Sequence, residues 1–249
     1  MTRRRLDAAL VARGLARSRA QAGELIRDGA VLVDRQAVAK PSHQVTDATH
    51  IELTRGVDRW VGRAALKLVR ALELWPIRVA GRRCLDVGAS TGGFTQVLLE
   101  HGAAQVTALD VGHGQLASAI AEDARVIDLE GTNIREVDAA SLGGPFDVVV
   151  CDLSFISLTL VMPRLVSLVR AGGDLLVLVK PQFEVGREGL DGRGVVRPGP
   201  WRGDAVRRVL ARATEAGPAG QGIGSGRTRG QGGYPELVAW LPRPAGPPG

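Results

Sequence analysis

From residue 81 to residue 180 one pattern repeats: a short apolar run, a turn of small residues, then an amphipathic stretch with helical spacing. Strands that are apolar on both faces must be buried on both faces, and a parallel sheet covered by helices on either side meets that need. The predicted strands are Cys84-Leu85-Asp86-Val87 and the segments 105–110, 125–129, 146–153 and 174–180. Helices are predicted between them over 93–101, 114–121 and 158–169,. The fold class is therefore α/β and Rossmann-like. Open sheets of this kind bind ligands at the carboxyl ends of their strands.

The flanks differ. Residues 1–53 read as a small α+β module. Leu6, Ala9, Leu10 and Leu15 outline a first helix. A second follows Arg17-Ser18-Arg19-Ala20, with Ser18 as its N-cap, Ala22, Leu25 and Ile26 on its apolar face, and Gly29 ending it,. Short strands follow at Val31-Leu32-Val33, around Val38 and Val45, and at Ile51-Glu52-Leu53. Residues 54–80 form a linker and a helix over 60–74, stopped by Pro76,. Residues 81–249 form the large domain, with a further helix over 201–216. The segment 217–233 is dominated by glycine with scattered arginine and is expected to be poorly structured, not a strand,. Residues 237–241 suggest a short strand.

Charge is unevenly placed. The net charge is +6, and residues 1–40 hold nine basic and four acidic residues, a net of +5. A basic head on a nearly neutral body points to an acidic partner, nucleic acid first. No apolar run reaches the ~18 residues of a membrane span. No apolar signal core follows Met1-Thr2-Arg3-Arg4-Arg5, so a cytoplasmic protein is expected,. Cys84 and Cys151 each fall inside a predicted strand and are expected to be buried free thiols,. His43, His50, His101 and His113 lack metal-ligand spacing, and no metal site is expected,.

The segment from Asp86-Val87-Gly88-Ala89-Ser90-Thr91-Gly92-Gly93 to Phe94 is a strand end, a turn of small residues and a helix start. Glycines let a backbone approach a ligand closely. The spacing matches neither G-x-G-x-x-G nor G-x-x-x-x-G-K-[ST], the patterns that cradle phosphates. Asp86, placed before the first glycine, suits a cofactor bearing a cationic amino group. Asp110, at the end of the second strand, can accept both hydroxyls of an adenosyl ribose. This is the outline of a class I methyltransferase, whose cofactor is S-adenosyl-L-methionine; a plain glycine-rich turn is the alternative. The candidate cofactor residues are Asp86, Gly88, Ala89, Ser90, Thr91, Gly92, Gly93 and Asp110.

Of the 32 basic residues, 29 are arginine and three are lysine: Lys40, Lys67 and Lys180. Arginine stays charged and cannot act as a base, whereas lysine can. A lysine kept against such a bias points to chemistry that arginine cannot supply. Asp152-Leu153-Ser154-Phe155 follows the fourth strand and Lys180-Pro181-Gln182-Phe183-Glu184 the fifth, so both face the ligand-binding edge. The pair could be an inert ion pair, or Lys180 could take the proton of an attacking ribose hydroxyl. The Asn/Asp-Pro-Pro-aromatic segment of a base N-methylase is absent, and neither cysteine sits in the Pro-Cys context of a C5-methylase.

These segments together resemble the TlyA family, often labelled hemolysin-A-like, over most of the chain. Residues 1–53 resemble an S4 RNA-binding domain through Arg5-Leu6-Asp7, Arg17-Ser18-Arg19-Ala20, Ile26-Arg27-Asp28-Gly29-Ala30-Val31 and Lys40-Pro41. The remainder resembles an FtsJ-like methyltransferase through Trp60-Val61-Gly62-Arg63, Lys67-Leu68, Asp110-Val111-Gly112-His113-Gly114-Gln115-Leu116, Thr132-Asn133-Ile134-Arg135 and the Asp152 and Lys180 segments. The resemblance implies methyl transfer from S-adenosyl-L-methionine to the ribose 2′-hydroxyl of cytidines in 16S and 23S rRNA. It implies a catalytic tetrad of Lys67, Asp152, Lys180 and Glu236 and RNA contacts at Arg5, Arg17, Arg19, Lys40 and Arg63. The partner would be ribosomal RNA or a ribosomal subunit.

Three departures from the family pattern stand out. Ala64-Ala65 lies where the family has a nearby glycine, Gly233-Tyr234-Pro235-Glu236 stands for its Gly-Asn-x-Glu, and its sixth strand would fall on 217–233. They keep open a second reading, an RNA-binding protein with a degenerate, inactive methyltransferase fold. A methyltransferase acting on tRNA or a small molecule is a third.

Overall fold

In the computed structural model, residues 3–16, 18–27, 30–53, 59–62, 64–217, 222–229 and 235–245 are described. The chain divides into two units, Met1–Trp60 and Val61–Gly249. The first contains β1 (Arg4–Arg5), α1 (Leu6–Ala12), α2 (Arg19–Arg27), β2 (Val31–Val33), β3 (Gln36–Ala37), β4 (Gln44–Val45) and β5 (Ile51–Leu53). The strands form an antiparallel β3-β2-β5 sheet and a separate β1–β4 pair. Leu6, Ala9 and Leu10 share one face of α1 through helical spacing and meet Ile26 and Val31 in a small core,. Asp34 and Arg35 both have positive φ, 49° and 66°, which turns β2 into β3 with the twist a hairpin needs,.

The second unit runs α3 (Ala65–Leu74), β6 (Arg83–Val87), α4 (Gly93–Glu100), β7 (Gln105–Leu109), α5 (Ser118–Ala121), β8 (Val126–Leu129), β9 (Phe146–Cys151), α6 (Leu158–Leu168), β10 (Val169–Val179), α7 (Trp201–Ala216), β11 (Gly222–Arg229) and β12 (Pro235–Pro242). They build a seven-stranded sheet ordered β11-β12-β10-β9-β6-β7-β8. Strands β8, β7, β6, β9 and β10 are parallel, and β12 and β11 join antiparallel. The apolar runs account for the central strands: Leu85, Phe146, Val149 and Leu175 are all at most 1% exposed. Burying one such side chain contributes about 1.5–3 kcal/mol. β7 and β8 follow β6 on one side while β9 and β10 lie on the other, so the carboxyl ends of the parallel pair β6 and β9 open a crevice at this switch point,. Cys84 and Cys151 are buried free thiols within these strands.

Three expectations are corrected, the first being the helix expected over 60–74, which begins only at Ala65. The segment read as poorly structured contains β11, a strand paired with β12 from Gly222 opposite Trp240 to Ser225 opposite Leu237. Its glycines carry no strand periodicity because they serve close packing. A Cβ at Gly222 would lie 2.5 Å from the Trp75 Nε1, and one at Gly224 would lie 2.7 Å from Leu74 Cδ1. Trp75 stacks in turn on Trp240, centroids 5.9 Å apart. The strand is thus specified by what lies on it, a signal invisible to local propensity. The helix expected over 114–121 begins only at Ser118. The amides of Gly112 and Gly114 are instead taken by the carboxylates of Asp110 and Glu130, which holds that stretch as a loop.

Candidate active site

The turn after β6 rests on glycine geometry. Gly88 and Gly92 hold φ of +84° and +90°. A Cβ on Gly88 would stand 2.9 Å from the Asp152 carbonyl, so the turns leaving β6 and β9 touch backbone to backbone,. Gly92 and Gly93 open α4, and a Cβ on Gly93 would press to 3.2 Å on the Gly62 carbonyl and Ala65 amide that lead into α3. Ala89 and Thr91 complete the turn: the Ala89 amide donates to the Leu109 carbonyl, and the Thr91 carbonyl accepts from Ala117.

Two carboxylates flank the turn in contrasting states. Asp86 is fully buried at the end of β6. Thr95 Oγ1 donates to its Oδ2 at 2.7 Å, while Oδ1 has no hydrogen-bond partner among the described residues. Burial pushes its carboxyl up to about 7, against the Thr95 hydrogen bond, which pulls it down,. Asp110, just past β7, is gripped by two backbone amides, Ser90 to Oδ2 at 2.9 Å and Gly112 to Oδ1 at 2.8 Å. Each oxygen keeps a lone pair for a further donor. Asp128 and Glu130 stand on the same side, and burial followed by repulsion from Glu130 and Asp110 raises the Asp128 carboxyl above its usual range. Ser90 also donates through Oγ to Gln115 Oε1 at 3.2 Å.

Across the crevice three predicted residues meet. Lys180 Nζ, just beyond β10, lies 2.6 Å from Asp152 Oδ1, an ion pair whose angle falls outside that of a hydrogen bond. Lys67 Nζ, on α3, donates to Asp152 Oδ2 at 3.5 Å. All three side chains are 11–12% exposed. Glu236 falls in β12 one step beyond the Leu237–Val179 pair, towards Lys180, and its side chain lies outside the described residues. Arg17 and Arg63 also lie outside them.

Sequence reasoning gave no role to several neighbours. Lys180 Nζ donates to Ser154 Oγ at 2.7 Å. Glu184, 7% exposed, accepts from Ser157 Oγ at 2.5 Å and from the Leu158 amide at 2.8 Å, tying the turn after β10 to the start of α6. Phe155 holds φ of +66°, a costly conformation for an aromatic residue, and is 91% exposed,. Its ring leans on Phe183, centroids 5.4 Å apart. Exposure of a large apolar side chain beside charged groups was the missed signal, and only coordinates reveal it.

In the first unit, Arg5 and Arg19 both reach Asp7, and Lys40 is exposed. Among the described residues no helix is long and apolar enough to cross a membrane.

Comparison with known proteins agrees with this geometry. The FtsJ-like methyltransferase family model matches residues 60–219, and the S4 domain model residues 4–51. The chain is 50% identical over 240 residues to a Mycobacterium tuberculosis protein named 16S/23S rRNA (cytidine-2'-O)-methyltransferase TlyA, covering 96% of this chain and 90% of that one. A solved Streptococcus thermophilus structure bearing a hemolysin name is 35% identical with a TM-score of 0.77, over 99% of this chain and 90% of that one. An S-adenosylmethionine-dependent methyltransferase from Mesorhizobium loti, 18% identical with a TM-score of 0.53 over 73% of this chain and 99% of that one, shares the fold. The chain belongs to the TlyA family of FtsJ-like methyltransferases and carries an S4 domain before its methyltransferase domain.

Proposed function

We propose that the protein methylates the ribose 2′-hydroxyl of cytidines in 16S and 23S rRNA. The observation that carries this reading is the Lys67–Asp152–Lys180 cluster, set at the switch point of the sheet against the glycine turn. The substrate class comes from the relative that shares half of the sequence. The best support for a degenerate, inactive fold was a C-terminal segment expected to lack a strand, and that segment contains β11, paired with β12 at the edge of the sheet.

The residues around the turn fit S-adenosyl-L-methionine. Asp110 has lone pairs for ribose hydroxyls, Gly88 and Gly92 leave room for close approach, and the unpartnered Asp86 oxygen marks a place for a cationic group. When bound, the cofactor supplies an activated methyl group. The chain handles the proton: Lys180, as the free amine, would accept it from the 2′-hydroxyl and become an ammonium paired with Asp152,. Asp152 contacts both lysines, so one ammonium stays paired whichever of them changes protonation. Ser154 fixes the Lys180 amine, and Phe155 offers its face to the target base. Most of the acceleration comes from positioning. Arg5, Arg19 and Lys40 engage phosphates of the RNA and give register without reading bases.

The test is incubation of purified protein and radiolabelled S-adenosyl-L-methionine with separate 30S and 50S subunits. The expected result is label in rRNA that makes one linkage alkali-resistant. Absence of label in the presence of measurable cofactor binding overturns the reading.

A further inference from the structure

The S4 unit contains a buried carboxylate with no part in catalysis. Asp7 sits in the first turn of α1 and is 5% exposed. Arg5 grips it with two parallel bonds, Nε to Oδ1 at 3.1 Å and Nη2 to Oδ2 at 2.9 Å. Arg19, from α2, adds Nη2 to Oδ2 at 3.1 Å, and the Ala8 amide donates to Oδ1 at 2.8 Å. The two arginine side chains remain 47% and 62% exposed. The Asp7 amide itself donates to the Pro41 carbonyl at 3.1 Å and that of Leu6 to the His43 carbonyl at 2.7 Å, which pins the loop bearing Lys40 to the same spot.

Two guanidinium groups do not approach each other unaided. A carboxylate held in the fold draws them together and fixes their planes, leaving outward N–H groups free to fork onto a phosphate. We propose that Asp7 is a positioning residue for RNA binding: it assembles Arg5 and Arg19 beside the Lys40 loop into one phosphate-binding clamp. This rests on the reading that the S4 unit binds RNA. The sign of the expected effect is its distinguishing mark. Replacing Asp7 by a neutral residue adds one unit to the +6 net charge, so bulk electrostatics alone predicts tighter RNA binding,. Loss of the clamp predicts weaker binding.

The experiment measures binding of labelled 23S rRNA to the full chain across a salt series. The variants are Asp7→Asn, the double variant R5A/R19A, and the triple variant combining both. The expected result is about tenfold weaker binding for Asp7→Asn with a shallower salt slope, and no added loss from Asp7→Asn in the arginine-free background. A purely structural loss persists in that background and overturns the proposal, as does Asp7→Asn binding as tightly as the parent or more so. Arg5→Lys covers the case in which Asp7→Asn does not fold: it keeps the charge, loses the fork, and is expected to bind severalfold more weakly, unchanged binding being the overturning result. If R5A/R19A binds RNA like the parent, the RNA-binding role of these residues itself is wrong; if it loses binding and Asp7→Asn does not, only the positioning role is wrong.

Discussion

In each unit one carboxylate holds two cations, and the two arrangements differ in every other respect. Asp7 holds arginines whose side chains are about half exposed; Asp152 holds lysines that are 12% exposed. The arginines stay charged under all working conditions and present fixed forks outward, which suits capture of a polyanion. The lysines point into a crevice and can exchange a proton, which suits chemistry. Of the three lysines in a chain with 29 arginines, the two in the methyltransferase unit, Lys67 and Lys180, are the pair on Asp152.

Exchanging the cation types breaks the contrast most sharply. Lys180→Arg puts a permanent cation in place of the proton acceptor, so single-turnover methyl transfer to ribosomal subunits is expected to fall about a thousandfold, while cofactor affinity by calorimetry stays unchanged. An activity within a few-fold of the parent would reduce Lys180 to an electrostatic role. Asp152→Asn leaves both lysines without their shared counter-charge, and a loss of about a hundredfold in kcat is expected; full activity would show that the pairing is inert. Phe155→Ala removes the exposed ring and is expected to raise KM for the RNA about tenfold, within the ~1–3 kcal/mol of one base stacked on an aromatic. A change confined to kcat would assign the ring to something other than base capture.

The smallest expected effect is on stability against pH, where Asp7 and Asp86 pull in opposite directions. Asp7 is held down to about 2, first by its Arg5 bonds, so its contribution is complete above about pH 4 and is lost as pH falls through about 2,. Asp86 is pushed up to about 7 by burial. Between about pH 4 and pH 7 the folded chain keeps a proton there that an unfolded carboxyl, near 3.9, has released. That contribution is therefore full below about pH 4 and shrinks as pH rises to about 7. Melting curves of cofactor-free Asp86→Asn should be flatter than the parent's across this window; parallel curves would contradict a buried, proton-bearing Asp86.

The parallel core was readable because its physics is local: apolar runs such as Val148-Val149-Val150-Cys151 must be strands buried on both faces, and Gly88, Gly92 and Asp110 mark turns by residue type. Lys67, Asp152 and Lys180 lie together: Asp152 and Lys180 follow strand ends that share one edge, and α3 brings Lys67 to them. What escaped was non-local. Gly222 and Gly224 are explained by Leu74 and Trp75, which lie far away in the sequence. Thr95 beneath Asp86 and Glu184 across from Ser157 look like ordinary helix and loop residues until the fold brings them together. Arg5 and Arg19 were expected as RNA contacts from the resemblance, and the carboxylate between them became apparent only from α1 and α2 packing side by side.

Asp110, backed by Asp128 and Glu130, has a consequence for traffic at the crevice. A protein that attracts a polyanion with its basic head risks having loose strands or abundant nucleotide triphosphates lodge wherever a glycine turn offers room. Three carboxyl groups on one side of that turn repel such intruders and leave the place open to a ligand that is uncharged at its ribose and cationic at its sulfur.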